Sequence, residues 1–230
     1  MEVYNGRRVE YEFFNAPAVE MAQRLLGSVV VRYSHFGDCV EKSIMTGRIV
    51  ETEAYPGGDD EASHSYNSRK TDRNAAMFMS PGTAYVYNIY GMYQCFNISC
   101  KGEGSGVLIR ALEPLRGLDQ MQTNRWAKSK RSKNGLERKP LKTKELCNGP
   151  SKLCQALDIT KEQFNQKSLL DESSELSVAL DDYQVNSADV IAATRIGLES
   201  HSAESRNRLW RFYLDSSDCV SVKIRKRKLE

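Results

Sequence analysis

The sequence predicts a single α+β domain, a mostly antiparallel sheet with helices packed against it. Three observations lead to that class. One helix signal near the start gives way to strands with period-two alternation. A tight, tyrosine-rich hairpin turns at Gly91. The chain has 230 residues, of which 40% are hydrophobic and 27% charged, enough for one core and ordinary for a globular protein.

Each element carries its own signal. Asn15 is placed to cap the first helix, with Pro17 in its first turn. Val19, Ala22, Leu25 and Leu26 share a face, and Gly27 ends the helix. Residues 28–33 read as a buried strand. Residues 47–54 form another, with Ile49, Glu51 and Glu53 on one side and Val50, Thr52 and Ala54 on the other. Residues 56–80 are loop-rich, from Pro56-Gly57-Gly58 to Ser80-Pro81-Gly82. Residues 84–90 and 93–99 pair as the hairpin, and 101–106 turn into a strand over 107–112. A helix covers 117–126, and Gly149-Pro150-Ser151 opens a short one through Leu157. Near the end, 187–191 reads as a turn, 192–197 as a strand, and 210–214 and 220–224 as closing strands.

The net charge of +3 is mild, so partners are read from local charge. Arg125, Lys128, Lys130, Arg131, Lys133, Arg138, Lys139, Lys142 and Lys144 form a basic stretch offset only by Glu137. Lys223, Arg225, Lys226, Arg227 and Lys228 close the chain. Such runs serve as solvated faces, phosphate contacts or, for the tail, a nuclear address. The first residues lack the apolar core of a signal peptide, and no apolar run is long enough to cross a bilayer. An intracellular protein with no membrane partner is expected. The six cysteines, Cys39, Cys95, Cys100, Cys147, Cys154 and Cys219, contain no Cys-x-x-Cys pair and read as reduced, mostly buried thiols. His35, His64 and His201 lie far from any cysteine doublet, so no zinc site is expected.

The chemistry concentrates in residues 49–110. Glu53 ends an apolar strand beside Tyr55 and the Pro-Gly-Gly loop, where strand ends feed active sites. A lone strand glutamate is usually an exposed partner of a lysine. A carboxylate in this place can instead deprotonate a water and steady an oxocarbenium-like sugar. Glu51, on the same side, reads as a structural partner of an arginine. Arg110 lies inside an apolar strand, and a buried guanidinium requires an anion, either Glu53 or a backbone phosphate. Tyr85, Tyr87 and Ile89 share one hairpin face, as core, as surface cover or as a stacking wall. Tyr90 falls on the turn and is expected to be exposed, where aromatic tips insert between base steps. Asn97, between Phe96 and Ile98, either reads a base edge or pins a neighbouring strand. His64, after Asp59-Asp60-Glu61, is on its own a solvent histidine or a loop cap. The contiguous acids read as solvated rather than as a magnesium site. Carboxylate, aromatic clamp and exposed aromatic tip together suit chemistry on a nucleobase withdrawn from a duplex.

Long, ordered runs of the chain resemble one family. They are Gly47-Arg48-Ile49-Val50-Glu51-Thr52-Glu53-Ala54-Tyr55, Met77-Phe78-Met79, Pro81-Gly82-Thr83, Tyr85-Val86-Tyr87, Ile89-Tyr90-Gly91-Met92-Tyr93, Leu108-Ile109-Arg110-Ala111-Leu112-Glu113-Pro114-Leu115 and Gly149-Pro150-Ser151-Lys152-Leu153. They resemble the alkyladenine (3-methyladenine) DNA glycosylases. The resemblance covers residues 14–222, leaving 1–13 as an N-terminal segment and 223–230 as a basic tail.

The resemblance implies a curved sheet with a protruding hairpin, surrounded by helices. It implies a monofunctional glycosylase with no metal or organic cofactor. Its partner would be double-stranded DNA containing damaged purines: 3-methyladenine, 7-methylguanine, hypoxanthine or ethenoadenine. A monomer is expected, nuclear if the source is eukaryotic. Glu53 would be the water-activating base and Arg110 its neighbour. Tyr55, His64 and Tyr87 would stack the base, and Asn97 would disfavour guanine's exocyclic amine. Tyr90 would be the intercalating wedge, with Met92 and Tyr93 beside it at the DNA. No lysine nucleophile stands near Glu53, so no strand-cleaving step is expected. Asn88 and the 68–74 loop depart from the family pattern, and both bear on substrate range. Two other readings are a metal-dependent nuclease using Glu51, Glu53 and Asp59-Asp60-Glu61, and a module that kinks DNA through Tyr90 without turnover.

Overall fold

The computed structural model describes residues 4–35, 42–128 and 139–224. In chain order the elements are β1 (Arg7–Arg8), α1 (Tyr11–Phe14), α2 (Ala18–Arg24), β2 (Val29–His35), β3 (Lys42–Tyr55), β4 (Ala84–Ile89), β5 (Tyr93–Ser99), β6 (Gly106–Arg116), α3 (Leu118–Ala127), α4 (Thr143–Leu146), α5 (Pro150–Ala156), α6 (Lys161–Phe164), β7 (Leu176–Leu180), β8 (Val190–Ala193), α7 (Ala203–Asn207) and β9 (Arg211–Leu214). The described strands form one sheet in the order β1-β7-β2-β3-β6-β5-β4, with β9 joining β3 and β8 joining β9. Every strand pair is antiparallel. The architecture is the α+β class that the sequence predicts.

The long strand β3 organises the sheet. Its first half pairs with β2, its second half with β9, and its other edge with β6. Register shifts interrupt the β3–β6 ladder between Ile49 and Glu51 and between Glu51 and Thr52. Such bulges bend a strand and re-aim side chains, and here they sit at the carboxylates. The main core includes Phe14, Met21, Leu25, Val50, Phe96, Ile98, Ile109, Leu112, Leu153 and Leu157. Thr52 donates its hydroxyl to the Ala22 carbonyl at 2.7 Å, tying β3 to α2. A smaller cluster, Val29, Val31, Ile44 and Ala179, is covered by Tyr4, Tyr33 and Leu115.

Several expectations are corrected. Asn15 does not start the first long helix: it is the C-cap of α1, and Pro17 occupies the N-cap of α2. The residue before a proline disfavours helical backbone, so one helix cannot run through 15–17. Residues 220–224 form no strand. They are tied by side chains instead, since Arg211 donates to the Val222 carbonyl and the Ile224 amide donates to Tyr213 Oη. The strand expected over 192–197 is Val190–Ala193, and residues 194–197 form a loop. The cysteines Cys95, Cys100, Cys147, Cys154 and Cys219 are free and buried, and Cys39 lies outside the described residues.

Gly117 joins β6 to α3 in left-handed backbone at φ 75°, and a Cβ there would meet the Ile44 carbonyl at 2.7 Å. Gly117→Ala is expected to destabilise the fold by about 1–3 kcal/mol. Urea denaturation measures this, and an unchanged midpoint would contradict the strain.

Candidate active site

β3 carries Glu53 and Glu51 into the interior with 0% and 1% exposure. Uncompensated, each buried charge would cost several kcal/mol. Glu53 Oε2 accepts a hydrogen bond from Tyr55 Oη at 2.8 Å, and Oε1 accepts one from the Ile196 amide at 2.8 Å. Arg110 Nη1 lies 3.2 Å from Glu53 Oε2. Its Nε lies 3.4 Å from Glu51 Oε1, close enough to pair electrostatically but without a hydrogen bond. Arg211, on β9, reaches Glu51 Oε1 at 2.7 Å and donates from Nε to the Thr194 carbonyl at 2.8 Å. Two carboxylates thus face two guanidiniums. Burial works to lower the Arg110 pKa, but Glu53, Glu51 and Tyr55 together raise it, so it remains a cation. Burial and the Glu53 charge push the Tyr55 hydroxyl well above its ordinary value, so it remains a donor.

In front of this network lies a cavity of about 290 Å³. Tyr55, Arg110 and Ile196 form its floor, and His64, Tyr85 and Tyr87 line it with Asn97 and Tyr90. Glu53 is not on the lining and is screened behind its three partners. Larger hollows of about 380 and 590 Å³ surround Tyr4 and Gly6, but no buried carboxylate lines either.

The cage is aromatic and neutral. The His64 and Tyr87 rings meet edge-on at 4.6 Å, and Tyr85 and Tyr87 lie 5.2 Å apart at a 31° tilt. His64 Nδ1 and Tyr85 Oη are hydrogen-bonded at 2.8 Å. Burial of the ring, then the nearby Arg73 charge, push the His64 pKa down to about 4, although the residue as a whole is exposed at the cavity mouth. Burial raises Tyr85 to about 12 and Tyr87 further still. Arg73 holds its guanidinium 5.4 Å from the Tyr87 ring centre. Asn97 donates to the Tyr85 carbonyl at 3.0 Å, so it pins β4 while lining the cavity. Asn88 is exposed and is not on the lining, so it does not touch the pocket rim.

At the hairpin tip, Tyr90 is 90% exposed and Met92 63%, with Tyr93 also exposed. Tyr90 and Gly91 both take positive φ, 50° and 71°, within a turn closed by the Met92 amide on the Ile89 carbonyl. That backbone costs a tyrosine about 1–2 kcal/mol, which is offset where primed turns match the strand twist.

The acid loop is engaged elsewhere. Asp60 is buried against Arg195 at 2.5 Å, and Glu61 Oε2 accepts from the Ser202 amide at 3.2 Å. Among the described residues no three histidine, cysteine or acidic side chains converge on one point, and the expectation that these contiguous acids are solvated fails at Asp60, which is buried because Arg195 neutralises it. Of the basic stretch, residues 129–138 lie outside the described residues, as do 225–230 of the tail. Arg125 donates to the Glu145 carbonyl, Lys128 pairs with Asp158 and Lys223 donates to the Asp215 carbonyl. These basic side chains hold the protein to itself.

Sequence reading missed four participants: Ile196, Arg195, Arg211 and Asn74. Asn74 donates to the carbonyls of His64 and Arg69 at 2.8 and 2.9 Å and so fixes the loop that presents His64. Arg195 carried the same signal as Arg110, an arginine within an apolar run. Arg211, between Trp210 and Phe212, carried it too, whereas Ile196 and Asn74 carried none.

The chain's relatives place it in one class, the DNA glycosylases, which are hydrolases of N-glycosyl bonds. A human DNA-3-methyladenine glycosylase is 46% identical over 215 residues, covering 94% of this chain and 68% of that protein. The mouse DNA-3-methyladenine glycosylase is 47% identical over 224 residues, covering 96% of this chain and 63% of that protein. A Clostridium tetani relative is 39% identical over 220 residues and is covered over 100% of its length. The sequence profile of the methylpurine-DNA glycosylases matches residues 12–218. The chain belongs to that family, which serves base excision repair of DNA. No helix among the described residues is long and apolar enough to cross a membrane.

The shift at His64 is testable. Its pKa falls from 6.5 in the unfolded chain to about 4, so the neutral ring's contribution is full above pH 6.5 and is lost as pH falls toward 4. Nitrogen chemical shifts of the His64 ring are expected to titrate near pH 4, and a midpoint near 6.5 would contradict desolvation of the ring against Tyr85 and Tyr87.

Proposed function

We propose that this chain flips alkylated or deaminated purines out of duplex DNA and hydrolyses the bond between base and sugar. The substrates are 3-methyladenine, 7-methylguanine, hypoxanthine and ethenoadenine. One observation carries the reading: a carboxylate held by three partners lies directly behind an aromatic cavity, beside an exposed tyrosine tip.

In this reading the flipped purine stacks among Tyr55, His64 and Tyr87, with Tyr90 filling the vacated place in the helix and Met92 and Tyr93 against the DNA. Glu53 takes a proton from a water, whose oxygen bonds to C1′ of the sugar. The N-glycosidic electron pair leaves with the base, and an abasic sugar remains. Because Glu53 is screened in the free protein, binding must draw Arg110 or Ile196 aside enough to admit one water. Arg110 keeps its cationic form and steadies Glu53. Cationic lesions already carry a good leaving group, and a π-rich cage favours them. Arg73 beside Tyr87 moderates that preference. Asn97 stands where an exocyclic amine would crowd the cavity. No metal or organic cofactor enters the reading, and a monomer suffices, in the nucleus if the source is eukaryotic.

Glu53→Gln is expected to lower single-turnover base release by about 10²–10⁴-fold, the usual worth of general-base catalysis, while lesion affinity holds. Circular dichroism verifies the fold, since the Arg110 pair is weakened. A variant as fast as wild type would remove Glu53 from the mechanism. Tyr90→Ala is expected to slow release from duplex DNA about tenfold, on the scale of one aromatic stacking contact, and to spare single strands. Equal losses on both substrates would contradict the wedge.

A further inference from the structure

We propose that the buried Arg195–Asp60 pair is the positioning device for Glu53. The inference rests on the reading of Glu53 as the base. Arg195 and Asp60 have no exposed side-chain surface, and the guanidinium grips the carboxylate with both ends, Nη1 to Oδ2 at 2.5 Å and Nη2 to Oδ1 at 2.7 Å. Ser205 Oγ adds a third bond to Asp60 at 2.9 Å. The same guanidinium donates to the Ala54 carbonyl at 3.1 Å and to the Ser205 carbonyl at 3.3 Å. It lies 4.7 Å from the Tyr55 ring centre and 5.1 Å from that of Trp210.

Each contact bears on Glu53. Ala54 is its chain neighbour. Tyr55 donates its hydroxyl to Oε2, and Ile196, the residue after Arg195, donates its amide to Oε1. One side chain therefore fixes both neutral donors that aim the carboxylate. They come from segments about 140 residues apart, so local backbone cannot set their spacing. A purely stabilising role accounts poorly for these features. Buried ion pairs stabilise little compared with well-packed apolar residues, and Arg195 Nε is left without a hydrogen bond. What a planar fork supplies over an apolar side chain is fixed direction. Asp60 is thereby assigned to Arg195 rather than to solvent or a metal.

The test compares Arg195→Lys and the neutral pair Arg195→Gln with Asp60→Asn, using a duplex with one ethenoadenine, whose fluorescence reports stacking in the cage. The Ile196 amide resonance reports its bond to Glu53 without turnover. Arg195→Lys keeps the charge but loses the fork, and is expected to lower single-turnover release about tenfold. The neutral pair is expected to lower it about 10²-fold, the scale of an ångström-sized misplacement. In both, lesion affinity and cage fluorescence are expected to stay within about twofold of wild type, and the Ile196 amide to shift upfield as its bond to Glu53 lengthens. If the neutral pair does not fold, Arg195→Lys decides alone. A folded variant with wild-type rate, or one whose rate loss is matched by its affinity loss with the Ile196 resonance unmoved, would overturn the proposal. Failure of the Glu53 reading is separate: it would appear as an active Glu53→Gln enzyme.

Discussion

Two carboxylates buried side by side on one strand constrain the rest of this structure. Glu51 and Glu53 lie two residues apart on β3 with almost no exposure, and neither can remain charged there without cations. Arg110 comes from the neighbouring strand β6 and Arg211 from β9, far along the chain. Closing β9 against β3 is therefore both a sheet pairing and a charge neutralisation. The bulges in the β3–β6 ladder fall at the same residues. A regular ladder would repeat one geometry along β3, whereas a bulge lets successive side chains meet different partners.

That constraint also shapes the cavity. Arg110, Tyr55 and Ile196 meet Glu53 from the open side, so they become the cavity floor, and the hairpin β4–β5 supplies the wall. Three of the cavity's rings are kept neutral: burial and the Arg73 charge lower His64, and burial keeps the Tyr85 and Tyr87 hydroxyls protonated. Two guanidiniums approach the cavity's rings from outside its lining, Arg73 at Tyr87 and Arg195 at Tyr55. Charge is thus segregated, paired ions below and neutral rings above. That division suits a site whose floor handles a water and a sugar while its wall accepts a flat base. The strained tip extends the same hairpin into solvent, so the cavity wall and the exposed Tyr90 share one element.

Much of the fold was legible in the sequence because its signals are local. Gly91 fixes the hairpin turn, Pro150 opens α5, and Gly27 ends the first helical region through its positive φ. That Arg110 must find an anion was legible too, with Glu53 one of two candidates, and the structure pairs it with Glu53. What could not be read was set by distant partners. Asp60 sits in a run of acids that looks solvated, and only the fold brings Arg195 to it. Ile196 contributes a backbone amide, which no side-chain motif advertises. Residues 220–224 alternate like a strand, yet Arg211 and Tyr213 claim their backbone groups. Asn15 had the chemistry of a cap, but Pro17 moved the helix start past it.

If Glu53 acts as proposed, this buried carboxylate and its aromatic cavity release a purine base and leave the strand intact. The most direct test is a labelled duplex with one hypoxanthine, incubated with excess protein in chelator and split into halves with and without hot alkali. Free hypoxanthine in solution is expected, with a strand that breaks at the lesion only after alkali. A strand intact after alkali, repeated with ethenoadenine and 3-methyladenine, would contradict it, as would cleavage without alkali.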